Sequence, residues 1–128
     1  MKNVNLLNGT NLAYIGDAYF ELCVRQHLLE KGITNSNELR KHATSYVSAN
    51  AHYEIYEFLK DQLTEEEHKI FLRGRNNAPT NHRKNLDRGK YVISSGFEAI
   101  IGYLYLTENQ KRLDEIMNLI WKWGDMKC

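Results

Sequence analysis

Cysteine is scarce in this chain: 128 residues hold two, Cys23 inside an apolar run and Cys128 at the end. Two such positions make no disulfide framework, so a reducing, cytoplasmic setting is the expectation. Long hydrophobic runs are missing as well. Nothing approaches the roughly 18 uninterrupted apolar residues of a membrane span, and MKNVNLLNGT at the start lacks the apolar stretch of a signal peptide. The five histidines, His27, His42, His52, His68 and His82, fall in no HExxH or CxxC setting. That argues against zinc, and most of them read as surface residues. No glycine-rich phosphate loop, GxSxG elbow or RNP-like aromatic strand is present. Cys23, between Leu22 and Val24, reads as a buried inert thiol rather than a nucleophile. An excess of one charge is also absent, since the formal net charge is +1.

The length and a hydrophobic content of 42% suit one compact domain over 1–128 with a real core. Charge is unevenly spread. From Arg73 to Lys90 the balance is +5, with Arg73, Arg75, Arg83, Lys84, Arg88 and Lys90 against Asp87, and the remainder carries −4. A basic segment on a mildly acidic body is a phosphate-binding footprint or a solvated loop.

Two stretches carry the rest. Leu12 to Arg25, LAYIGDAYFELCVR, reads as a helix apolar almost all the way round, which places it in the core. Tyrosines aside, its polar side chains are Asp17, Glu21 and Arg25, spaced by four and so in one row. Arg25 can serve Glu21, one turn away. Asp17, beside Gly16, has no cation within the helix, and a buried carboxylate needs a cation, donors or an open cleft. In Tyr91 to Thr107, YVISSGFEAIIGYLYLT, the helical pattern is interrupted by one charge, Glu98. Gly96, Ala99 and Gly102 are small enough to admit a second helix beside it. If that helix carries Asp17, two carboxylates converge, and a divalent cation such as Mg²⁺ would turn their repulsion into a binding site.

Taken in order, the chain predicts helices only. Asn8 or Thr10 caps the first, which runs to about Lys31 and stops at Gly32. Asn35 with Glu38 starts a second, to about Tyr46, and Ser48 caps a third whose stripe of Ala51, Ile55, Phe58 and Leu59 runs to about Leu63. Thr64 with Glu67 opens a fourth, leading into Arg73 and Gly74. Arg75 to Leu86, with four asparagines and the only proline, is expected to be an irregular loop. Asp87 is the expected cap of the Glu98 helix. Asn109 is that of the last, which Gly124 should end, and Trp121 and Trp123 should pack there rather than bind.

The run YIGDAYFEL resembles the signature helix of ribonuclease III, SGFEAIIGYLYL resembles that family's later acidic helix, and the whole chain, with RGRNNAPT between them, is similar to Mini-ribonuclease III. The resemblance implies an all-α ribonuclease III endonuclease domain, a bundle of about six helices without a double-stranded-RNA-binding domain. It implies that Asp17 and Glu98 are the catalytic and metal-binding residues, with Mg²⁺ as cofactor, double-stranded RNA as substrate, 5′-phosphate products and a homodimer. Trimming the ends of the large-subunit (23S) ribosomal RNA precursor is the implied role, and a ribosomal protein on the RNA is one source of substrate choice. Arg73, Arg75, Arg83 and Lys84 are the expected phosphate contacts. Tyr19, Phe20 and Tyr103 are candidates for the dimer contact. In two places the chain departs from a typical ribonuclease III. Ala13 stands for the glutamate four residues before the aspartate, and Ser95 for the aspartate three residues before the glutamate, as is general among Mini-ribonucleases III. Ser95 and Glu21 remain candidates for a supporting shell, Glu21 either touching a metal-bound water or pairing with Arg25. A non-catalytic RNA-binding or ribosome-assembly module on the same fold is the alternative that the missing carboxylates permit.

Overall fold

Capping residues set where the helices begin. In the computed structural model, which describes residues 1, 3–78 and 88–127, these are α1 Gly9–Glu30, α2 Ser36–Val47, α3 Ala49–Leu59, α4 Glu65–Asn76, α5 Arg88–Leu106 and α6 Gln110–Met126. Short 3-10 turns lie at Val4–Leu6 and Lys60–Gln62, and the described residues contain no strand. The all-α expectation of about six helices therefore holds. Asn8, not Thr10, caps α1: its side chain accepts from Asn11 N at 2.9 Å, and Asn11 returns the bond to Asn8 N. Thr10 instead donates to the Asn77 carbonyl at 2.6 Å. Thr64 and Glu67 close the reciprocal box expected for α4. At α2, Asn35 accepts from Asn37 N and Glu38 N while Glu38 pairs with His42, so half of the expected box forms. Gly32, at φ +88°, ends α1 in the left-handed region that favours glycine.

α5 is the central helix, packed against α1, α3, α4 and α6. Its small residues set two close crossings. A Cβ at Gly102 would run into the Leu12 carbonyl of α1, and one at Gly16 into the Glu98 carbonyl of α5. Leu12 and Gly16 therefore meet Gly102 and Glu98 in antiparallel register, one turn apart on each helix. On the other side, Gly96 takes the Phe71 ring, and a Cβ at Gly74 of α4 would come within 2.6 Å of Ala99 Cβ. The main core gathers Phe20, Val24, Ile55, Phe97, Ile101, Leu113, Ile116 and Ile120. A smaller cluster, Val4, Leu12, Ala13, Ile70 and Ala99, seals the end where α1, α4 and α5 meet.

Four expectations change. α1 is not buried all round: Tyr14, Leu22 and Leu29 are 83%, 62% and 55% exposed, so its apolar composition serves a surface as well as a core. α3 stops at Leu59 and gives way to the 3-10 turn Lys60–Gln62 instead of running to Leu63. α4 continues through Arg75 to Asn76, where the loop was expected to begin, because asparagine and arginine are tolerated in a last turn. α6 runs past Gly124 to Met126; that glycine makes room for the Tyr46 ring rather than ending the helix, since a Cβ there would lie 2.7 Å from Tyr46 Cζ. The expected Asp87 cap lies outside the described residues. Trp123 is buried and Trp121 stacks on His27, so the tryptophans pack as expected.

The α1–α5 crossing predicts a strong test. In Gly102→Ala the new methyl meets backbone on the partner helix, which cannot rotate away, so overpacking of about 3 kcal/mol should outweigh the roughly 1 kcal/mol gained in helix propensity. Urea unfolding should show a net loss of about 2 kcal/mol, and a variant as stable as wild type would mean that the helices stand further apart.

Candidate active site

Glycine at position 16 lets the α1 backbone come down on the α5 carbonyl of Glu98, and the neighbouring side chains are carried together with it. Asp17 is exposed on α1 and Glu98 half-buried on α5, and their carboxyl groups adjoin closely enough for protonated Glu98 to donate to Asp17. A carboxyl-to-carboxyl hydrogen bond needs a shared proton. Burial, the hydrogen bond to Asp17 and the Asp17 charge, in that order, push the Glu98 pKa up to about 9. Two carboxylates converging on one surface point is the arrangement expected from the sequence, and neither has a cationic side chain at hand in the ion pairs of the described residues.

Behind the pair lies one of the five histidines, most of which were expected at the surface. His52 of α3 is 1% exposed, with Nδ1 2.8 Å from Ser94 Oγ on α5, one turn before Glu98. Its ring meets Phe20, three residues after Asp17, at 5.3 Å and 74°, and Phe97, next to Glu98, at 4.9 Å. Nε2 is buried without a hydrogen-bond partner. Burial lowers the His52 pKa to about 4 against the opposing pull of the Asp17 charge, so the ring is neutral at physiological pH. The signal was present, since position 52 falls on the same helical stripe as Ile55, Tyr56 and Leu59. His27 also departs from the surface expectation: it is half-buried and stacked on Trp121 at 3.9 Å.

The supporting candidates divide. Glu21 pairs with Arg25 at 3.6 Å, the pairing that helix spacing favours, with both side chains well exposed. Ser95 is buried, 8% exposed, and its carbonyl faces Gly74 across the α4–α5 crossing. Cys23 is half-buried and its thiol pKa is raised by burial, in keeping with an inert thiol. Of the basic residues, Arg73 donates to the Leu7 carbonyl and so ties the N-terminal segment to α4, while Arg75 is exposed and donates from Nε to neighbouring Asn76 Oδ1 at 3.2 Å. Arg83 and Lys84 lie outside the described residues. The interface candidates also divide, because Phe20 is fully buried in the core while Tyr19 and Tyr103 are half-buried.

Whether a cation fits can be asked of the donors themselves. The pair offers carboxylate oxygens only, the ligands a hard divalent cation prefers, and the proton that the raised pKa keeps on Glu98 is the one such a cation would displace. No cluster of three or more His, Cys, Asp or Glu residues suited to a metal occurs among the described residues, so water or substrate oxygens would complete the shell. No described helix is long and apolar enough to cross a membrane.

Comparison with known proteins gives the family. The Ribonuclease III domain family matches residues 10–109. Mini-ribonuclease 3 of Streptococcus pneumoniae (strain ATCC BAA-255 / R6) is 43% identical over 120 residues, covering 92% of this chain and 94% of that one. The Mini-ribonuclease 3 of Symbiobacterium thermophilum is 44% identical over 117 residues, 91% of this chain and 90% of its own. Among solved structures, the crystal structure of a Fusobacterium nucleatum protein superposes with a TM-score of 0.84 at 31% identity, over 95% of this chain and 98% of that one. By family match, by identity along nearly its full length and by fold, the chain belongs to the ribonuclease III family, in its Mini-ribonuclease III branch.

Proposed function

We propose that this ribonuclease III family endoribonuclease cleaves double-stranded RNA in a Mg²⁺-dependent reaction, with Asp17 and Glu98 as the catalytic, metal-holding pair. The observation that carries the reading is the backbone contact of α1 on α5 at Gly16 and Gly102, which brings exposed Asp17 beside Glu98, whose carboxyl pKa the Asp17 charge helps to raise. When bound there, Mg²⁺ would supply charge neutralisation at the scissile phosphate and Lewis acidity. The chain itself contributes the fixed separation of the two carboxylates, set by backbone contact at Gly16 and Gly102. Glu21, held by Arg25, stays one turn from Asp17 and keeps a second negative charge near the site. Arg75, exposed at the end of α4, together with Arg73, Arg83 and Lys84, is the proposed run of phosphate contacts. The substrate proposed is the precursor of large-subunit (23S) ribosomal RNA in the cytoplasm, with a ribosomal protein on the RNA as a source of substrate choice. The known members named above support the enzyme over the non-catalytic module.

A homodimer is part of the same reading. Cutting two antiparallel strands needs two acidic pairs related by a two-fold axis, which an isologous interface supplies. The surface that supports it is the outward side of α1, the helix that carries Asp17, where Tyr14, Leu22 and Leu29 are exposed, rather than Phe20. Leu22→Glu should shift sedimentation from twice the chain mass to the chain mass, whereas a monomeric wild type would remove this part of the proposal.

The pair itself is tested by Asp17→Asn and Glu98→Gln, which change charge with little change in volume. Both should lose more than about a thousandfold in cleavage of a perfect duplex, roughly 4 kcal/mol, while binding duplex RNA and remaining folded. Near wild-type cutting by Asp17→Asn would sink the site.

A pH dependence follows with a definite sign. Free of metal, folded Glu98 holds its proton up to about pH 9, whereas the ordinary value is 4.5, so between those limits the folded chain binds the extra proton. Stability of the metal-free protein should be highest below the lower limit and fall as pH rises through the window. In the same window a binding cation must expel that proton, so calorimetry in buffers of differing ionisation enthalpy should show release of up to one proton per site. Glu98→Gln should flatten the stability profile, and an unchanged slope would place the raised pKa elsewhere.

A further inference from the structure

We infer that His52 is a positioning residue for the carboxylate pair, fixing the distance between Asp17 and Glu98 from behind through its ring contacts with Phe20 of α1 and Phe97 of α5 and its bond to Ser94. The inference rests on the reading of Asp17 and Glu98 as the reacting pair.

Three contacts place the ring. Phe20 is on the same face of α1 as Asp17, three residues on, and meets the imidazole edge to face. Phe97 adjoins Glu98 on α5, and the two phenylalanines also meet each other, at 5.2 Å and 89°. Ser94, four residues before Glu98, takes the Nδ1 bond at 2.8 Å with both partners buried. Any shift of the ring therefore moves the segments that carry both carboxylates.

Packing alone does not account for the residue. A leucine would fill the space between Phe20 and Phe97 without burying an imidazole Nε2 that has no hydrogen-bond partner. What the imidazole adds is a directed bond from α3 to α5 one turn from Glu98, and a polar ring beneath the acidic pair in place of a hydrocarbon one. A side chain that holds a ligand in place from the second layer commonly changes metal affinity by about tenfold or more when it is removed.

The test uses full-length protein and four variants. His52→Leu keeps apolar volume and loses the bond to Ser94; Ser94→Ala loses the same bond with a smaller change; His52→Asn carries an amide to the Nδ1 position; Asp17→Asn is the control for the site. Mg²⁺ binding is followed by calorimetry without RNA, duplex affinity is measured in EDTA, and cleavage is measured under single turnover. In His52→Leu and Ser94→Ala, half-saturation with Mg²⁺ should rise about tenfold and the cleavage rate at fixed Mg²⁺ should fall by a similar factor, with duplex affinity unchanged. His52→Asn should recover most of both. Folded variants with wild-type Mg²⁺ affinity and cleavage rate would overturn the inference, as would losses that His52→Asn fails to restore. Should His52→Leu not fold, Ser94→Ala decides alone, in the same two directions. An active Asp17→Asn would instead overturn the underlying reading of the pair, and an inactive one beside a normal Ser94→Ala overturns only the role of His52.

Discussion

Backbone contact between α1 and α5, with no side chain between them, is the constraint on which the rest depends. Gly16 and Gly102 each face the other helix's carbonyl oxygen, so the axes are as close as glycine permits. Side chains next to such a crossing have little room to diverge. Asp17 and Glu98 are therefore held side by side although like charges repel, and burial together with the Asp17 charge raises the Glu98 pKa so that it keeps its proton. The raised Glu98 pKa is thus a consequence of helix packing, and the glycines belong to the chemistry as much as the acids do.

The same arrangement explains what was legible in the sequence. Asp17, left without a cation on the first apolar helix, and Glu98, the one charge of the second with small residues around it, pointed to convergence on the condition that the two helices pack together. Helix starts at Asn8, Ser48, Thr64 and Asn109 were readable because capping is a local interaction between a side chain and the next turn. What could not be read was decided by partners far along the chain. Gly124 has the composition of a helix stop and serves as a seat for Tyr46 instead. An apolar α1 looked like a core helix, yet Tyr14, Leu22 and Leu29 turn outward, because composition does not distinguish burial within one chain from a surface left open. His52 was misplaced for a related reason: imidazole is polar enough to pass for a surface residue and small enough to sit in a core once burial has made it neutral.

A second tie, remote from the acids, fixes the other end of the bundle. Glu67, 3% exposed, closes the Thr64 capping box and also takes two hydrogen bonds from Arg112 of α6, at 2.8 and 2.9 Å. Burial opposes ionisation of this carboxyl, but the bonds from Arg112 and Thr64 outweigh it and hold the pKa below the ordinary value. Arg112 also reaches the Gln62 carbonyl at 2.9 Å, so one guanidinium joins the start of α4, the turn before it and α6. At its far end, α4 is held by Arg73 on the Leu7 carbonyl and by Thr10 on that of Asn77. The basic run thus leaves from a helix anchored at both ends, and Arg73 is occupied by that anchoring while Arg75 stays exposed.

The two positions that carry carboxylates in a typical ribonuclease III are closely packed here. Ala13, 8% exposed, belongs to the small cluster with Leu12, Ile70 and Ala99 that seals α1 against α4 and α5. A glutamate there would have to bring its charge through that cluster or push the helices apart. Ser95 is equally buried, and its backbone carbonyl closes on Gly74, which lets α4 approach α5 closely, though less closely than α1 does on the other side. Close packing of α5 on both flanks and a four-carboxylate site are therefore competing uses of the same positions. In the proposed reading, two carboxylates leave most of a hard cation's coordination to water and to phosphate oxygens of the RNA. Firm cation binding then depends on the substrate and on the exact separation of the one remaining pair, which makes the groups that set this separation, Gly16, Gly102 and the His52 ring, the ones to which such a site is most sensitive.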